Sequence, residues 1–203
     1  MKTRRKEQPN YSFVRRVADE ITATQKSLPI DLNYIVEHYC QKRGFSVKIV
    51  SDELEKTVSG SVAVMNEGEN PILGILFNKI HSKTRQRFTV AHEFGHFVLK
   101  HEGLLGGKLE VIDYDSKSKE EIEANFFAAL LLMPTQLIRK YQNLIDTTNT
   151  RELAAIFGVS EKACKIRLRN DSSLIGYSTS YVERQTNLQA EIEDMLGITQ
   201  SRD

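Results

Sequence analysis

Cysteine is scarce in this sequence: among 203 residues only Cys40 and Cys164 occur, far apart and in no CxxC pair. That argues against a disulfide framework and against a cysteine-built zinc site. Two buried or half-buried thiols in a reducing compartment are expected instead. An excess of one charge is also missing. Lys and Arg number 28 against 27 Asp and Glu, a formal net charge of +1, so no global field draws the chain toward nucleic acid or membrane. Long apolar runs are absent as well. The longest, Phe126 to Met133, is far too short to span a bilayer. The basic start, Met1 to Asn10, is not followed by the apolar stretch of a secretory signal. No internal repeat or low-complexity tract stands out. A cytoplasmic globular protein is expected, with 40% hydrophobic and 27% charged residues and enough length to bury a core without staples.

What is present divides into a β-rich stretch between helical ones. An amphipathic helix is expected over Tyr11 to Ser27. A second runs from the N-cap Asp31 through Lys42, with apolar positions Leu32, Ile35, Val36 and Tyr39 at helical spacing and Gly44 as the stop. Phe45 to Val50 alternates apolar and polar residues. Ser59 to Met65 and Ile72 to Phe77 are rich in small and β-branched residues, with Asn66 to Pro71 as a hairpin loop. The pattern then turns helical over Lys83 to Lys100, ending near Gly103. A loop with a short extended piece is expected over His101 to Lys117, and a helix over Lys119 to Met133, before Pro134. Shorter helices reach Asn170, with a last one near Gln189 to Leu196. The expected class is α+β: a small, mostly antiparallel sheet of about three strands packed with helices, a zincin-like core and a C-terminal helical segment. The expected division is a helical N-terminal extension (1–27), a zinc metallopeptidase core (28–145), a helix-turn-helix-like segment packed on it (146–170) and a C-terminal tail (171–203).

The chemistry concentrates in Ala91-His92-Glu93-Phe94-Gly95-His96, an HExxH pattern. On a helix, residues i and i+4 lie one turn apart on one face, so His92 and His96 can present two imidazole nitrogens to one zinc ion. Glu93 is offset by about 100° around the helix. It is badly placed to share that ligand plane but can reach the ion's water as general base and later serve as acid. The neighbours Phe88, Ala91, Gly95, Val98 and Leu99 mark a buried helix, where uncompensated polar groups are costly. A catalytic zinc takes three protein ligands. The metzincin extension is excluded, because Leu99 and Glu102 stand where it needs glycine and histidine. The better source is the helix starting at Lys119. Ser118 with Glu121 forms a capping box, and Glu120 suits the first helical turn. Glu123 shares the stripe of Phe126, Phe127, Leu130 and Leu131 that should face the core. Glu123 is therefore the expected third ligand.

Arg87 to Phe97, with Glu121-Ile122-Glu123-Ala124-Asn125-Phe126-Phe127 continuing to Met133-Pro134, resembles the ImmA/IrrE metallopeptidase family over roughly residues 28 to 170. The family commonly has Leu where this chain has Phe94. The resemblance implies His92, His96 and Glu123 as ligands of Zn2+ and Glu93 as catalytic acid/base. It also implies a setting: an endopeptidase whose protein substrate is a helix-turn-helix repressor, cleaved to switch on a stress response or mobile-element genes.

Arg151 to Ser160 followed by Glu161 to Arg169 reads as helix, tight turn, helix, with Lys162, Lys165, Arg167 and Arg169 lining the exposed side of the second helix. A DNA-contacting helix looks like this. The competing reading, that the pair packs on the core or docks a protein substrate, is favoured by the near-neutral charge. The alternative to a peptidase is a non-proteolytic zinc-bound regulator, or one half of a toxin–antitoxin module, binding a partner protein or DNA. His101 is expected to serve the free carbonyls at its helix end. Tyr114 and His101 are the candidates for stabilising an oxyanion. The substrate backbone is expected to extend along an edge strand, Ile72 to Phe77.

Overall fold

The computed structural model describes residues 8–67, 70–101, 118–141, 149–169 and 171. The expected extended piece within 101–117, the helix near 189–196, Tyr114 and most of the C-terminal tail lie outside them. In chain order the elements are α1 (Tyr11–Thr22), α2 (Leu32–Gln41), β1 (Ser46–Asp52), β2 (Gly60–Glu67), β3 (Asn70–Asn78), α3 (Lys83–Leu99), α4 (Lys119–Leu132), α5 (Thr135–Tyr141), α6 (Thr150–Phe157) and α7 (Glu161–Arg169). None of the described helices is long and apolar enough to cross a membrane.

The α+β class holds, with one change in the sheet. The strand order is β1-β3-β2; β2 pairs antiparallel with β3, whereas β1 pairs parallel with it. The strand expected at an edge, Ile72 to Phe77, is therefore the central one. Its uninterrupted apolar run, Ile72-Leu73-Gly74-Ile75-Leu76-Phe77, suits a strand with neighbours on both sides. In the hairpin the ladder continues through Asn66 opposite Pro71 to Glu67 opposite Asn70, further than the expected loop of Asn66 to Pro71 allowed. The connection from β1 to β2 is pinned by Asn78, whose side-chain amide donates to the carbonyls of Leu54, Glu55 and Val58 at 3.3, 3.0 and 2.8 Å.

Helix ends follow local chemistry. Asn10, Asp31, Ser82, Ser118 and Asn149 cap α1, α2, α3, α4 and α6, each accepting from a backbone N–H three residues on. Helix α1 stops at Thr22 rather than Ser27; the Thr22 hydroxyl bonds back to Ala18 O at 2.8 Å. Helix α3 lies on β2 and β3 and is covered by α4, while α1 packs across α4 with Tyr11 edge-on to Phe126 at 5.2 Å. Val14 and Ala18 of α1 thus join the core of Phe94, Phe127, Leu130 and Leu131. The close approach of α3 to α4 depends on Gly95. A Cβ there would sit 2.9 Å from the Phe127 ring and 3.4 Å from the Ala124 backbone.

The C-terminal helix pair forms as expected. Gly158, at φ 65°, ends α6, and the Ser160 hydroxyl accepts from Ala163 N at 3.1 Å. One basic residue departs from expectation. Lys162, Lys165 and Arg169 are exposed, but Arg167 is buried. It donates to Met133 O (3.2 Å), Thr135 Oγ1 (2.9 Å) and Asp171 Oδ2 (2.7 Å). Arg167 ties α7 to the end of α4 and is not available to a phosphate. The two cysteines are fully buried and unbridged. Burial pushes the Cys40 thiol up to about 12 and Cys164 to about 11, so neither forms a reactive thiolate near neutral pH.

Candidate metal centre

Helix α3 delivers His92 and His96 to one spot because i and i+4 stack along its face. Both rings are buried, with centroids 4.8 Å apart and the two Nε2 atoms 3.1 Å apart. Facing them is a carboxylate of α4. It is Glu121, not the expected Glu123: Glu121 Oε2 lies 3.2 Å from His92 Nε2 and Oε1 lies 3.2 Å from His96 Nε2. The three ligand atoms fall within 4.8 Å of one another, and the three residues are the metal-competent group found among the described residues. The Ser118 half of the capping box is present, with the Glu121 N–H donating to Ser118 Oγ at 3.3 Å. The Glu121 carboxylate faces the histidines. One turn on from Glu121, Asn125 Oδ1 meets His92 Nδ1 at 2.8 Å. That bond holds the His92 proton on Nδ1 and turns Nε2 toward Glu121.

Glu123 is also buried, but points elsewhere. Its Oε1 accepts from the backbone N–H of Asn10 at 2.6 Å, and its Oε2 lies 3.1 Å from His101 Nε2. His101 in turn brings Nδ1 to 2.9 Å from His96 Nδ1. The ring reaches that place because α3 ends at Leu99. Lys100 adopts the left-handed conformation (φ 58°), and the His101 N–H bonds to His96 O at 3.1 Å. This Schellman-type reversal swings His101 back over the helix end. It therefore sits against the Nδ1 side of His96, the side remote from His92 Nε2 and Glu121. His81 and His38 lie apart, against Lys56 O and the Tyr34 ring respectively.

Glu93 is fully buried. Its Oε1 faces the start of β2, where a Cβ on Gly60 would come within 3.4 Å of it and within 2.5 Å of both Leu76 O and the Thr89 methyl. A side chain at 60 would clash with Leu76 O and the Thr89 methyl and lie against the carboxylate.

The electrostatics favour a cation here. Burial by itself would raise the Glu121 carboxyl, but the hydrogen bonds and charges of His92 and His96 prevail and hold it down at about 2. Burial likewise opposes charge on the histidines. At His92 it is outweighed by Glu121 and Glu93, and the ring is shifted upward; at His96, burial aided by the neighbouring His92 and His101 lowers it to about 4. Two imidazole nitrogens and an ionised carboxylate converging at this distance form the donor set that suits a divalent ion such as zinc.

A buried HExxH helix crossed by a carboxylate-bearing helix defines a candidate metal-dependent peptidase centre. Residues 43–169 match the Peptidase_M78 family, the IrrE N-terminal-like domain, and the chain belongs to that metallopeptidase family. The matched span contains β1 through α7 and all of His92, Glu93, His96 and Glu121; α1 and α2 precede it. No curated protein matches the sequence.

Proposed function

We propose that the protein is a zinc-dependent endopeptidase in which His92, His96 and Glu121 hold the ion and Glu93 moves the proton. The convergence of two Nε2 atoms and one carboxylate carries this reading. Glu123, the ligand expected from the helical stripe, is assigned a different role because its oxygens are engaged by Asn10 and His101. When bound, zinc supplies Lewis acidity toward a water and the scissile carbonyl. The protein's own part is protonic. Glu93, beside His92 and enclosed by the start of β2, takes a proton from the attacking water and delivers it to the departing amine. The substrate strand extends along β2, the edge strand that begins beside Glu93, and not along the central β3. The family resemblance supports a helix-turn-helix repressor as the protein substrate, with stress-response or mobile-element genes released by its cleavage.

The test is metal content. Protein purified without chelator should hold about one zinc per chain by elemental analysis. His92→Ala with His96→Ala should hold none, and Glu121→Gln should bind weakly because a neutral amide is a poorer zinc ligand. Zinc retained by the double variant would overturn the assignment.

A further inference from the structure

A cavity of about 380 Å3 lies at the start of α3. It is walled by Phe88 of that helix, Leu132 at the end of α4, Val159 of the α6–α7 turn and Ala163 of α7, with Ile80 at its rim. We propose that it receives a large apolar side chain of the protein substrate, next to the scissile bond, so that the α6–α7 pair serves as a specificity wall. This rests on the reading of the metal centre as a peptidase site.

Two contacts tie the cavity to the proposed site. The Phe88 ring, one of its walls, stands one helical turn before His92, with ring centroids 6.3 Å apart. Arg85, which also lines it, donates through Nη2 to Ser59 Oγ at 2.9 Å. Ser59 immediately precedes β2, and Gly60, the first residue of β2, lies beside Glu93. A chain laid along β2 past Glu93 therefore meets the cavity close to the histidines. One helical turn is about 5.4 Å, less than two extended residues at about 3.3 Å each, so the guest side chain belongs to a residue adjoining the cleaved bond.

The lining sets the chemistry of the guest. Phe88, Leu132 and Val159 are buried while Ile80 is 43% exposed, so hydrocarbon leads from rim to floor. The hydroxyls are already engaged: Ser82 Oγ accepts from Arg85 N, Ser160 Oγ accepts from Ala163 N, and Thr84 Oγ1 lies 3.3 Å from Ser82 Oγ. None of the described residues lining the cavity is acidic, and Arg85 is positive, so a lysine or arginine guest would give up water without meeting a counter-charge. The volume is near the lower end of the range for ligand pockets, which suits one side chain and not a folded segment. On the α7 side the wall is a single half-buried methyl, that of Ala163, which leaves depth for leucine, methionine or phenylalanine.

Occupancy and cleavage test this separately. In the full-length protein as purified, the methyl NMR signals of Ile80, Leu132 and Val159 should shift saturably with N-acetyl-leucine amide and not with N-acetyl-lysine amide. Ala163→Phe, which fills the cavity from α7, should abolish those shifts. With a positional-scanning library of quenched-fluorescent peptides, the wild-type protein should select Leu, Met or Phe at one position adjoining the cleaved bond. Ala163→Phe should lower kcat/KM for those peptides roughly 10–100-fold and move the preference to Ala or Gly at that position alone, with zinc content unchanged. Ile80→Ser, at the exposed rim, should weaken the same preference, and it keeps the test open if Ala163→Phe does not fold. Selection of Asp or Glu, drawn by Arg85, would overturn the proposal. So would one cleavage profile shared by the wild type and the variants, or no shift with the leucine probe in the wild type. Probe binding needs neither metal nor turnover. A protein that takes up the leucine probe but cleaves no peptide would therefore defeat the proposed function while leaving the preference of the cavity decided.

Discussion

Glu93→Gln should lower hydrolysis of a quenched-fluorescent peptide library on the order of a hundredfold or more while leaving zinc content unchanged. The substitution keeps the shape of a side chain that is completely enclosed, so it fits the same space beside Gly60. What disappears is the ability to accept and return a proton. Stability is not expected to suffer, since a neutral amide is easier to bury than a carboxylate. The outcome separates Glu93 from Glu121, whose loss should act through the metal. Equal loss of zinc in Glu93→Gln would make Glu93 a ligand, and an unchanged rate would remove it from the chemistry.

Arg167→Ala should cost about 3 kcal/mol of folding stability, measured by urea denaturation of the metal-free protein. The guanidinium is buried and bonds Met133 O, Thr135 Oγ1 and Asp171 at once. Its removal leaves those acceptors and a cavity. The value sits at the low end of what breaking a buried ion pair costs, because Arg15 still reaches Asp171 Oδ2 at 3.1 Å. Lys162→Ala, on the exposed side of α7, should change stability by no more than about 0.5 kcal/mol. A similar small change in Arg167→Ala would show that α7 is not fastened through this residue.

How much of this was legible in the sequence depends on whether a periodicity existed to be read. The meeting of His92 and His96 was legible because the i, i+4 geometry is internal to one helix. The third carboxylate was not. A stripe selects one residue only when the helix has a wet side, and α4 is buried nearly all round, with both Glu121 and Glu123 inside. The i, i+4 pair Glu121 and Asn125, both aimed at His92, was the available signal. The place of the His101 ring was not legible, because a non-glycine residue, Lys100, turns left-handed just before it and no pattern announces that. Arg167 could have been found: from Cys164, the i+3 and i+4 positions are Arg167 and Leu168, and all three are buried. The central place of β3 was likewise written in its unbroken apolar run, whereas the parallel pairing with β1 is a property of strand order that no single strand encodes.

Gly95, inside the HExxH segment, has a consequence for how variation in this chain should be interpreted. Its missing side chain lets α4 approach closely enough for Glu121 to meet both imidazoles; an added methyl would meet the Phe127 ring at 2.9 Å and the Ala124 backbone at 3.4 Å. A saturation scan scored by peptidase output alone would therefore rank position 95 beside the proposed ligands. Scored in parallel by cellular abundance, the two kinds of position part company. Substitutions at 95 should deplete the protein itself, while Glu93→Gln, on the proposed role of Glu93, should leave abundance unchanged and activity lost.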